Sequence, residues 1–386
     1  MIFSSFRWND STVLELDQAV SAYIQYRFKR MNLVTGFPEP IPLDYFIKDL
    51  DRLNLEDRVE LPTVFHFHYE LGLVLAGMGH TVGDETPLAI FIQYKNAKKR
   101  APRKSRLKSI PLKSLERPTW SEYKGAFQHI QNELLDGNCY QVNLTYPFDF
   151  ETEENLDPRE IRDFFMSRKN LGAYAHTTYY GEEMILSNSP ECLFQYDNGK
   201  LFSMPIKGTV KKGRDWREDW KKLIADEKQA GELLMIVDLI RNDMNRLERP
   251  VTRIKKLKAP LLVPGLLHQY ALLSVKIENS LSLLKVLECM FPGGSITGAP
   301  KRRVMSIIQN IERFQRGIYC GSTLLCMGRR KTASINIRTA TLSPADRLWR
   351  YGAGGGITLL SRPVEEFQEM ESKVASFLTL IKTPGY

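Results

Sequence analysis

Several marks of common protein classes are missing from this sequence. No apolar run approaches the roughly 18 residues that a membrane-spanning helix needs. The start of the chain lacks the basic-then-apolar pattern of a secretory signal. The glycine run at 354–356 comes late and has no βαβ unit after it, which argues against a dinucleotide-binding fold. We therefore expect a soluble, cytoplasmic protein.

Metal-binding spacings are also scarce. The five cysteines are an odd number and none forms a Cys-x-x-Cys pair, so we expect reduced thiols and no zinc site. His66 and His68 alternate with aromatic residues in an apparent strand, which predicts that both point to one sheet face. No third ligand is evident nearby, so ordinary sheet residues are the better interpretation.

The charge is unevenly placed. The net charge is +9, and the stretch from Lys95 to Lys113 carries nine basic residues and no acidic one. Such a stretch is either a nucleic-acid or partner-binding patch or a solvated linker. No aromatic residues are interleaved for base stacking, and Pro102 and Pro111 suit an extended connector. We therefore favour the linker.

The pattern of apolar residues divides the chain into three parts. Residues 1–94 are predicted to form a small N-terminal region, with an amphipathic helix over 14–27 and strands over 63–75 and 88–94. Residues 95–118 are the basic linker. Residues 119–386 begin with a helix that Ser121 caps, followed by a strand over 139–150. Helices interspersed with antiparallel-looking strands predict an α+β fold.

Lys207 lies between a rigid proline and a flexible glycine, in Pro205-Ile-Lys-Gly-Thr209. Glu191 precedes it across a predicted β-hairpin whose turn contains Asn198-Gly199. The hairpin could bring this carboxylate and amine into one pocket. A lysine is a nucleophile only as the free amine, and spacing alone favours an ordinary surface charge. The remaining motifs favour the nucleophile over the surface charge.

Six motifs follow one another along the chain. They are Ser189-Pro-Glu191, Pro205-Ile-Lys-Gly-Thr209, Glu232-Leu-Leu-Met-Ile-Val-Asp-Leu-Ile-Arg-Asn-Asp243, Pro292-Gly-Gly-Ser-Ile-Thr-Gly-Ala-Pro-Lys301, Ser334-Ile-Asn-Ile-Arg-Thr-Ala340 and Gly352-Ala-Gly-Gly-Gly-Ile357. Together they resemble the chorismate-utilising enzymes, from about residue 119 to the C-terminus. The resemblance implies two large, mostly antiparallel β-sheets stacked face to face, with helices outside.

Three acidic residues are candidate metal ligands. Glu232 lies in a predicted helix over 227–242, and Glu366 and Glu369 share one face of a later helix that begins at Pro363. Acids in an early helix turn can simply favour the helix dipole. Mg²⁺ needs only one or two protein carboxylates plus a substrate anion. The resemblance implies direct Mg²⁺ contacts for Glu232 and Glu369 and a water-mediated contact for Glu366; Gln229 departs from an acidic position in many relatives.

The substrate of this family carries two carboxylates, which need cations and free backbone N–H groups. Arg338 offers a forked donor, and glycines let a backbone approach an anion closely. The resemblance also implies that His268 hydrogen-bonds near the ring and that Tyr319 contacts the enolpyruvyl group. The full substrate-binding set is Arg338, Gly354, Gly355, Gly356, Thr297, Lys301, Tyr319 and Thr209.

Two positions separate branches of the family. Lys207 resembles the aminodeoxychorismate branch, because anthranilate synthases usually have Ala there. Gln141 stands where isochorismate and salicylate synthases have a lysine that activates water. The resemblance thus implies amination of chorismate at carbon 4, with Lys207 as nucleophile and Glu191 as general acid. Amination at carbon 2 and a non-catalytic basic binding protein are the alternatives.

The source of ammonia is the last expectation from sequence. None of the cysteines lies in the Gly-x-Cys-x-Gly elbow of a glutamine amidotransferase. Ammonia would therefore come from solution or from a separate glutaminase subunit.

Overall fold

Antiparallel strands make most of the framework in this computed structural model, which describes residues 1–247, 251–263, 266–277 and 280–382. The strands in chain order are β1 Ile2–Asn9, β2 Thr12–Gln25, β3 Arg30–Asn32, β4 Pro38–Glu39, β5 Val59–Phe67, β6 Ala89–Arg100, β7 Lys113–Glu116, β8 Gln141–Glu151, β9 His176–Tyr180, β10 Met184–Ser187, β11 Cys192–Asp197, β12 Lys200–Met204, β13 Ile206–Lys211, β14 Arg253–Val263, β15 Leu266–Lys276, β16 Gly298–Ala299, β17 Ser322–Gly328, β18 Arg330–Ile335, β19 Thr339–Ser343 and β20 Leu348–Ile357.

Helices lie between the strands along the chain. They are α1 Leu43–Arg52, α2 Tyr69–Leu75, α3 Trp120–Leu135, α4 Pro158–Met166, α5 Trp216–Ala225, α6 Glu227–Asn245, α7 Leu283–Met290, α8 Lys301–Ile311 and α9 Pro363–Lys382, with short 3₁₀ turns at Gly79–Thr81 and Gly294–Ile296. Among the described residues no helix is long and apolar enough to cross a bilayer.

The strands pair in one continuous antiparallel order within the described residues. That order is β7, β8, β20, β19, β10, β9, β1, β2, β6, β5, β17, β18, β11, β12, β15 and β14. The two long strands β2 and β6 lie in the middle. Their pairing is interrupted by a bulge between Ala19 and Ser21, next to Gln18 with φ +58°. Bulges bend strands, so the ladder divides into two sheets.

Each sheet buries its outer face under helices. The first sheet, from β7 to β1, packs against α3, α4, α8 and α9 through side chains such as Phe127, Ile161 and Met370. The second sheet, from β5 to β14, packs against α1, α2, α6 and α7 through Phe46, Leu233 and others. Burying each such side chain stabilises the fold by about 1.5–3 kcal/mol.

The inner faces of the two sheets meet. Ser4 Oγ on β1 lies 2.7 Å from the Tyr94 hydroxyl on β6 and 2.8 Å from Thr178 Oγ1 on β9. The buried rings of His66 on β5 and His176 on β9 are 5.9 Å apart, centre to centre. The predicted α+β fold of two face-to-face antiparallel sheets with outer helices is therefore confirmed.

Two local predictions were wrong in the N-terminal third. The segment expected as a helix over 14–27 is strand β2, because its apolar residues are buried against both faces of the sheet and not along one helical stripe. The strand expected over 63–75 ends at Phe67, and α2 follows. His68 thus precedes α2, while only His66 lies within the strand.

The helix predicted near residue 119 is present with a different cap. Thr119, not Ser121, is the N-cap, and its side chain forms a reciprocal capping box with Glu122. The following strand begins at Gln141, two residues later than expected.

The basic stretch is partly built into the sheet. Its first six residues belong to β6 and pair with β2, and residues 113–116 form β7 and pair with β8. The predicted linker over 95–118 is therefore wrong at these two segments. Arg100 and Arg103 both bond Glu15, and Lys99 lies over the Trp8 ring. Residues 101–112 have no regular strand or helix. The division into residues 1–94 and a catalytic domain of 119–386 stays a prediction.

Candidate active site

The site forms where the chain crosses from one sheet to the other. Glu191 lies between β10 of the first sheet and β11 of the second, and Arg338 lies between β18 of the second and β19 of the first. Backbone bonds hold the two crossings side by side: Asn188 N donates to Arg338 O at 3.0 Å, and Ile335 N donates to Glu191 O at 3.0 Å. The fold thus brings a carboxylate and a guanidinium together from distant parts of the sequence.

The predicted hairpin carries Lys207 to the same place. Strands β11 and β12 pair around Asn198 and Gly199, which both have positive φ, as a two-residue turn of this kind requires. Strand β13 follows β12 and pairs with β15, with a bulge at Gly208, whose φ is +73°. Glycine takes that conformation without strain. Lys207, just before the bulge, is half-buried.

The Glu191 carboxyl is buried and electrostatically coupled to its neighbours. Burial raises its pKa, while the nearby Lys207, Ser295 and Arg338 oppose that rise. A carboxyl that keeps its proton more readily is suited to donate it to a leaving group. The structure therefore brings Glu191, Lys207 and Arg338 together.

His268 lies on β15 opposite Thr209. Its Nδ1 is 2.7 Å from Thr209 Oγ1. Burial lowers the pKa of His268, as does the nearby Arg338, while a bond with the Gly208 backbone raises it. The imidazole is therefore neutral at pH 7 and can accept or donate a hydrogen bond within the cluster.

The glycine run lies in strand β20, and its missing side chains make room for neighbours. A Cβ at Gly352 would be 2.2 Å from the Tyr319 ring, and one at Gly354 would be 2.2 Å from the Leu144 carbonyl oxygen. A Cβ at Gly356 would be 2.7 Å from the Gln141 amide nitrogen. Glycine here permits close approach within a strand and does not form a turn.

Gln141 is 2% exposed, and its amide nitrogen has no hydrogen-bond partner in the described part of the chain. The amide lies directly against the backbone of Gly356. A buried unpaired donor costs about 1–3 kcal/mol.

Helix α9 carries two of the predicted metal ligands beside the glycine strand. Glu366 is buried and accepts a bond from Ser361 Oγ at 2.7 Å. Its other oxygen lies 3.4 Å from where a Cβ on Gly355 would be. Glu369 accepts from Lys373 Nζ at 2.8 Å, and its side chain is 58% exposed.

Lys373 is a residue that the sequence analysis missed. Its ammonium also donates to the Gly354 carbonyl at 2.7 Å, so it joins the glycine strand to α9. It follows Glu369 by one helical turn, and acid–base pairs at this spacing are neighbours on a helix. The four-residue spacing between Glu369 and Lys373 could have identified Lys373 from the sequence.

Glu232 lies half-buried on α6, the predicted helix, which extends to Asn245. The side chain of Gln229 is outside the described residues. Across the parts of the chain that are described, no three His, Cys, Asp or Glu side chains are grouped to hold a metal. A Mg²⁺ site at Glu232, Glu366 and Glu369 therefore stays a prediction.

Two predicted substrate donors already have protein partners. Thr297 is buried and its hydroxyl donates to the Gly293 carbonyl at 3.0 Å. Lys301 Nζ donates to Asp243 Oδ2 at 2.6 Å and to the Cys289 carbonyl at 3.3 Å. A cation at a helix N-terminus is unfavourable, and Asp243 neutralises it. In this structure both residues tie helices and turns together around the site.

Comparisons with known proteins agree with this arrangement. The chorismate binding enzyme family matches residues 74–379. Aminodeoxychorismate synthase component 1 of Salmonella typhimurium is 36% identical over 267 residues, covering 67% of this chain and 57% of that protein. Anthranilate synthase component 1 of Saccharolobus solfataricus is 32% identical over 269 residues, covering 67% of this chain and 62% of that protein.

A solved structure supports the fold over nearly the whole chain. Anthranilate synthase component I from Streptococcus pneumoniae superposes with a TM-score of 0.75 at 21% identity, covering 95% of this chain and 92% of that chain. The chain spans little more than half the length of the Salmonella relative. The match over 74–379 contains every motif described above, and the chain therefore belongs to the chorismate-binding enzyme family.

Proposed function

We propose that this chain is the chorismate-aminating component of an aminodeoxychorismate synthase, which makes 4-amino-4-deoxychorismate for the para-aminobenzoate unit of folate. The observation that carries the proposal is Lys207 near the buried carboxyl of Glu191, with Arg338 also close to that carboxyl. An amine next to a proton-donating carboxyl is the pair that covalent displacement of a hydroxyl requires. Free, buried cysteines suit a cytoplasmic reaction.

The reaction divides into two displacements. The free amine of Lys207 attacks carbon 2 of chorismate, the ring double bonds shift, and the 4-hydroxyl takes a proton from Glu191 and leaves as water. The new secondary ammonium returns a proton to Glu191. Ammonia then attacks carbon 4, the double bonds shift back, and the Lys207 nitrogen takes the proton from Glu191 and leaves as the free amine. The new ammonium at carbon 4 gives a proton to Glu191, which restores the starting state. Splitting one difficult displacement into two lowers the overall barrier.

The remaining residues bind and orient the substrate. Arg338 and Lys373 supply cations for the two carboxylates, and the backbone of Gly354–Gly356 is open to an anion. His268 and Thr209 hold each other and face the ring, while Tyr319 packs on the enolpyruvyl side. A Mg²⁺ ion held by Glu232, Glu366 and Glu369 would neutralise a substrate carboxylate when bound.

Anthranilate synthesis is the second candidate, because the Saccharolobus relative carries that name. Lys207 argues against it, since an amine at carbon 2 blocks ammonia there. The test is to incubate the protein with chorismate, Mg²⁺ and ammonium, with and without an added aminodeoxychorismate lyase. We expect para-aminobenzoate only when the lyase is present. Fluorescent anthranilate as the main product would contradict the proposal.

The nitrogen donor gives a separate prediction. The Salmonella relative is named as a component 1, and this chain has no amidotransferase cysteine elbow. We expect the purified chain to use ammonium at high pH and to use glutamine only after a separate glutaminase is added. The control is the glutaminase alone with chorismate. Glutamine-dependent turnover by the single chain would contradict a two-component arrangement.

Arg338 allows a test that separates binding from folding. Its φ of +53° strains any residue except glycine. Both Arg338→Ala and Arg338→Gly are expected to raise KM for chorismate at least tenfold, since a charge-assisted bond contributes about 1.5–3 kcal/mol. The glycine variant should be the more stable of the two, by about 1 kcal/mol.

The matched control for Arg338 is Arg347→Gly. Arg347 has φ +59° and lies at the turn between β19 and β20, so the same substitution relieves the same strain away from the cluster. Steady-state kinetics and thermal unfolding measure both effects. An unchanged KM in Arg338→Ala would remove Arg338 from the substrate site.

A further inference from the structure

Strand β8 has a gap in its pairing. On one side it pairs with β20 from Val142 to Glu151. On the other side β16 pairs with it only at its first two residues, and β7 pairs with it only over 149–151. Within the described residues no strand pairs with β8 over 143–148 on that side. Buried backbone groups need other partners there, and those partners show what holds this part of β8.

Two charged side chains bond the backbone of β8 in this gap. Glu312 Oε1 accepts from the Thr145 N–H at 2.9 Å and from the Thr145 hydroxyl at 3.0 Å. Arg316 Nη2 donates to the Asn143 carbonyl at 2.7 Å, while the Asn143 N–H donates to the Thr297 carbonyl at 2.8 Å. A carboxylate that accepts from an N–H and a guanidinium that donates to a carbonyl give β8 the kinds of bond that a neighbouring strand would give.

The two side chains also hold each other. Arg316 Nε and Nη2 donate to the two oxygens of Glu312, both at 2.7 Å, which is the bidentate arrangement that fixes a guanidinium against a carboxylate. Arg316 Nη1 donates to the Ile296 carbonyl at 2.7 Å, and the guanidinium lies 4.7 Å from the centre of the Tyr69 ring. The Arg316 and Glu312 side chains are only 1% and 3% exposed. Water therefore does not compete for their bonds to β8.

The gap lies directly behind the glycine strand. Gly354 and Gly356 are opposite Thr145 and Asn143 in the pairing of β20 with β8. Strand β19 pairs with β20 only as far as Tyr351. Beyond Tyr351, β8 is the only strand partner of β20 in the described part of the chain. Because glycines weaken the interior of a strand, the position of the glycine strand depends on β8.

We propose that Glu312 and Arg316 are positioning residues for the substrate site. They take the place of a neighbouring strand beside β8, and through β8 they hold the backbone of Gly354–Gly356 where the substrate binds. The inference rests on the proposed function for the identity of that substrate as chorismate. The dependence of the glycine strand on the pair can be measured in the free protein, without any substrate.

The direct test is hydrogen–deuterium exchange of the free protein, measured by mass spectrometry of its peptides. The double variant, Glu312→Leu with Arg316→Met, replaces the pair by apolar side chains of similar size, a change that often leaves the stability of a protein unaltered. We expect exchange to be roughly tenfold faster or more in peptides that contain residues 143–146 and 352–357, because a segment that opens locally loses its protection. Exchange over 322–328, in strand β17, should stay as in wild type.

A second variant and a control keep the test informative. Arg316→Lys keeps the charge but loses the forked donor, so it should give a smaller increase in the same peptides. The matched control is Arg162→Met with Asp163→Leu, which removes another buried ion pair on α4 and should leave exchange over 352–357 unchanged. Unchanged exchange over 352–357 in both variants of the Glu312–Arg316 pair would overturn the inference. An equal increase in all peptides would also overturn it, because that result indicates a loss of global stability alone.

The activity of the same proteins tests whether the position of the glycine strand matters for the reaction. In the double variant, kcat/KM for chorismate should fall roughly ten- to a hundredfold, since a misplacement of about 1 Å can cost that much, while its thermal unfolding midpoint stays near that of wild type. The control double variant should keep the wild-type kcat/KM. A wild-type kcat/KM in a double variant with faster exchange would contradict a positioning role. Failure of the proposed function is read separately, as wild-type protein that makes no aminated product from chorismate and ammonium.

Discussion

Replacing Lys207 by alanine is expected to lower turnover of chorismate by roughly a hundredfold or more, since one catalytic group commonly contributes on the order of 10²–10⁴. In the proposed mechanism the lysine occupies the approach to carbon 2, between Pro205 and the bulge at Gly208. Without the amine, carbon 2 is open to ammonia. Any residual product should therefore shift toward the ortho-amino acid.

The covalent step itself can be observed. Rapid quenching of wild-type protein with chorismate, without ammonium, should give a protein mass increased by chorismate less one water. Lys207→Ala should show no such adduct. Lys200→Ala, at the exposed hairpin turn of the same sheet, is the control and should behave as wild type. Unchanged rate and product in Lys207→Ala would mean that Lys207 is only a surface charge.

Replacing Glu369 by glutamine is expected to abolish turnover while the protein stays folded. The side chain is 58% exposed and lies outside the apolar stripe of α9, so its loss costs little packing. The change removes one negative oxygen ligand, and Mg²⁺ selects such ligands. We expect higher Mg²⁺ to restore part of the activity of Glu369→Gln, because weaker binding is offset by mass action.

Glu365→Gln is the matched control for Glu369→Gln, because Glu365 is on the same helix, is equally exposed and also pairs with a base, Arg362, just before the helix. It should leave both turnover and Mg²⁺ dependence unchanged. Glu369 also neutralises Lys373, so the Mg²⁺ titration is the measurement that isolates the metal. Full activity of Glu369→Gln in EDTA-treated, magnesium-free buffer would end the metal-site hypothesis.

Short-range patterns predicted the local structure around two of the candidate residues, Glu191 and Glu366. The Asn198-Gly199 turn correctly predicted the hairpin, and the hairpin brings Glu191 toward Lys207 as expected. The apolar stripe of α9 predicted which face of the helix is buried, and Glu366 lies on that face. These features depend on residues close in sequence, where turn chemistry and helical periodicity act directly.

Contacts between residues that are far apart in the sequence could not be predicted from such patterns. Lys301, which was predicted to be a substrate donor, pairs with Asp243, 58 residues earlier, and no local pattern indicates that contact. Strand β2 was mistaken for a helix for the same reason: burial on both faces comes from pairing partners far along the chain.

The central claim is that nitrogen enters at carbon 4, and the position of the nitrogen in the product tests it most directly. Wild-type protein is incubated with chorismate, Mg²⁺ and ¹⁵N-ammonium, and the unfractionated product is analysed by ¹⁵N–¹H correlation NMR. We predict a ¹⁵N nucleus coupled to the ring proton at carbon 4, in a product that keeps its enolpyruvyl group. A ¹⁵N nucleus on carbon 2, in an aromatic ring that has lost that group, would contradict the account.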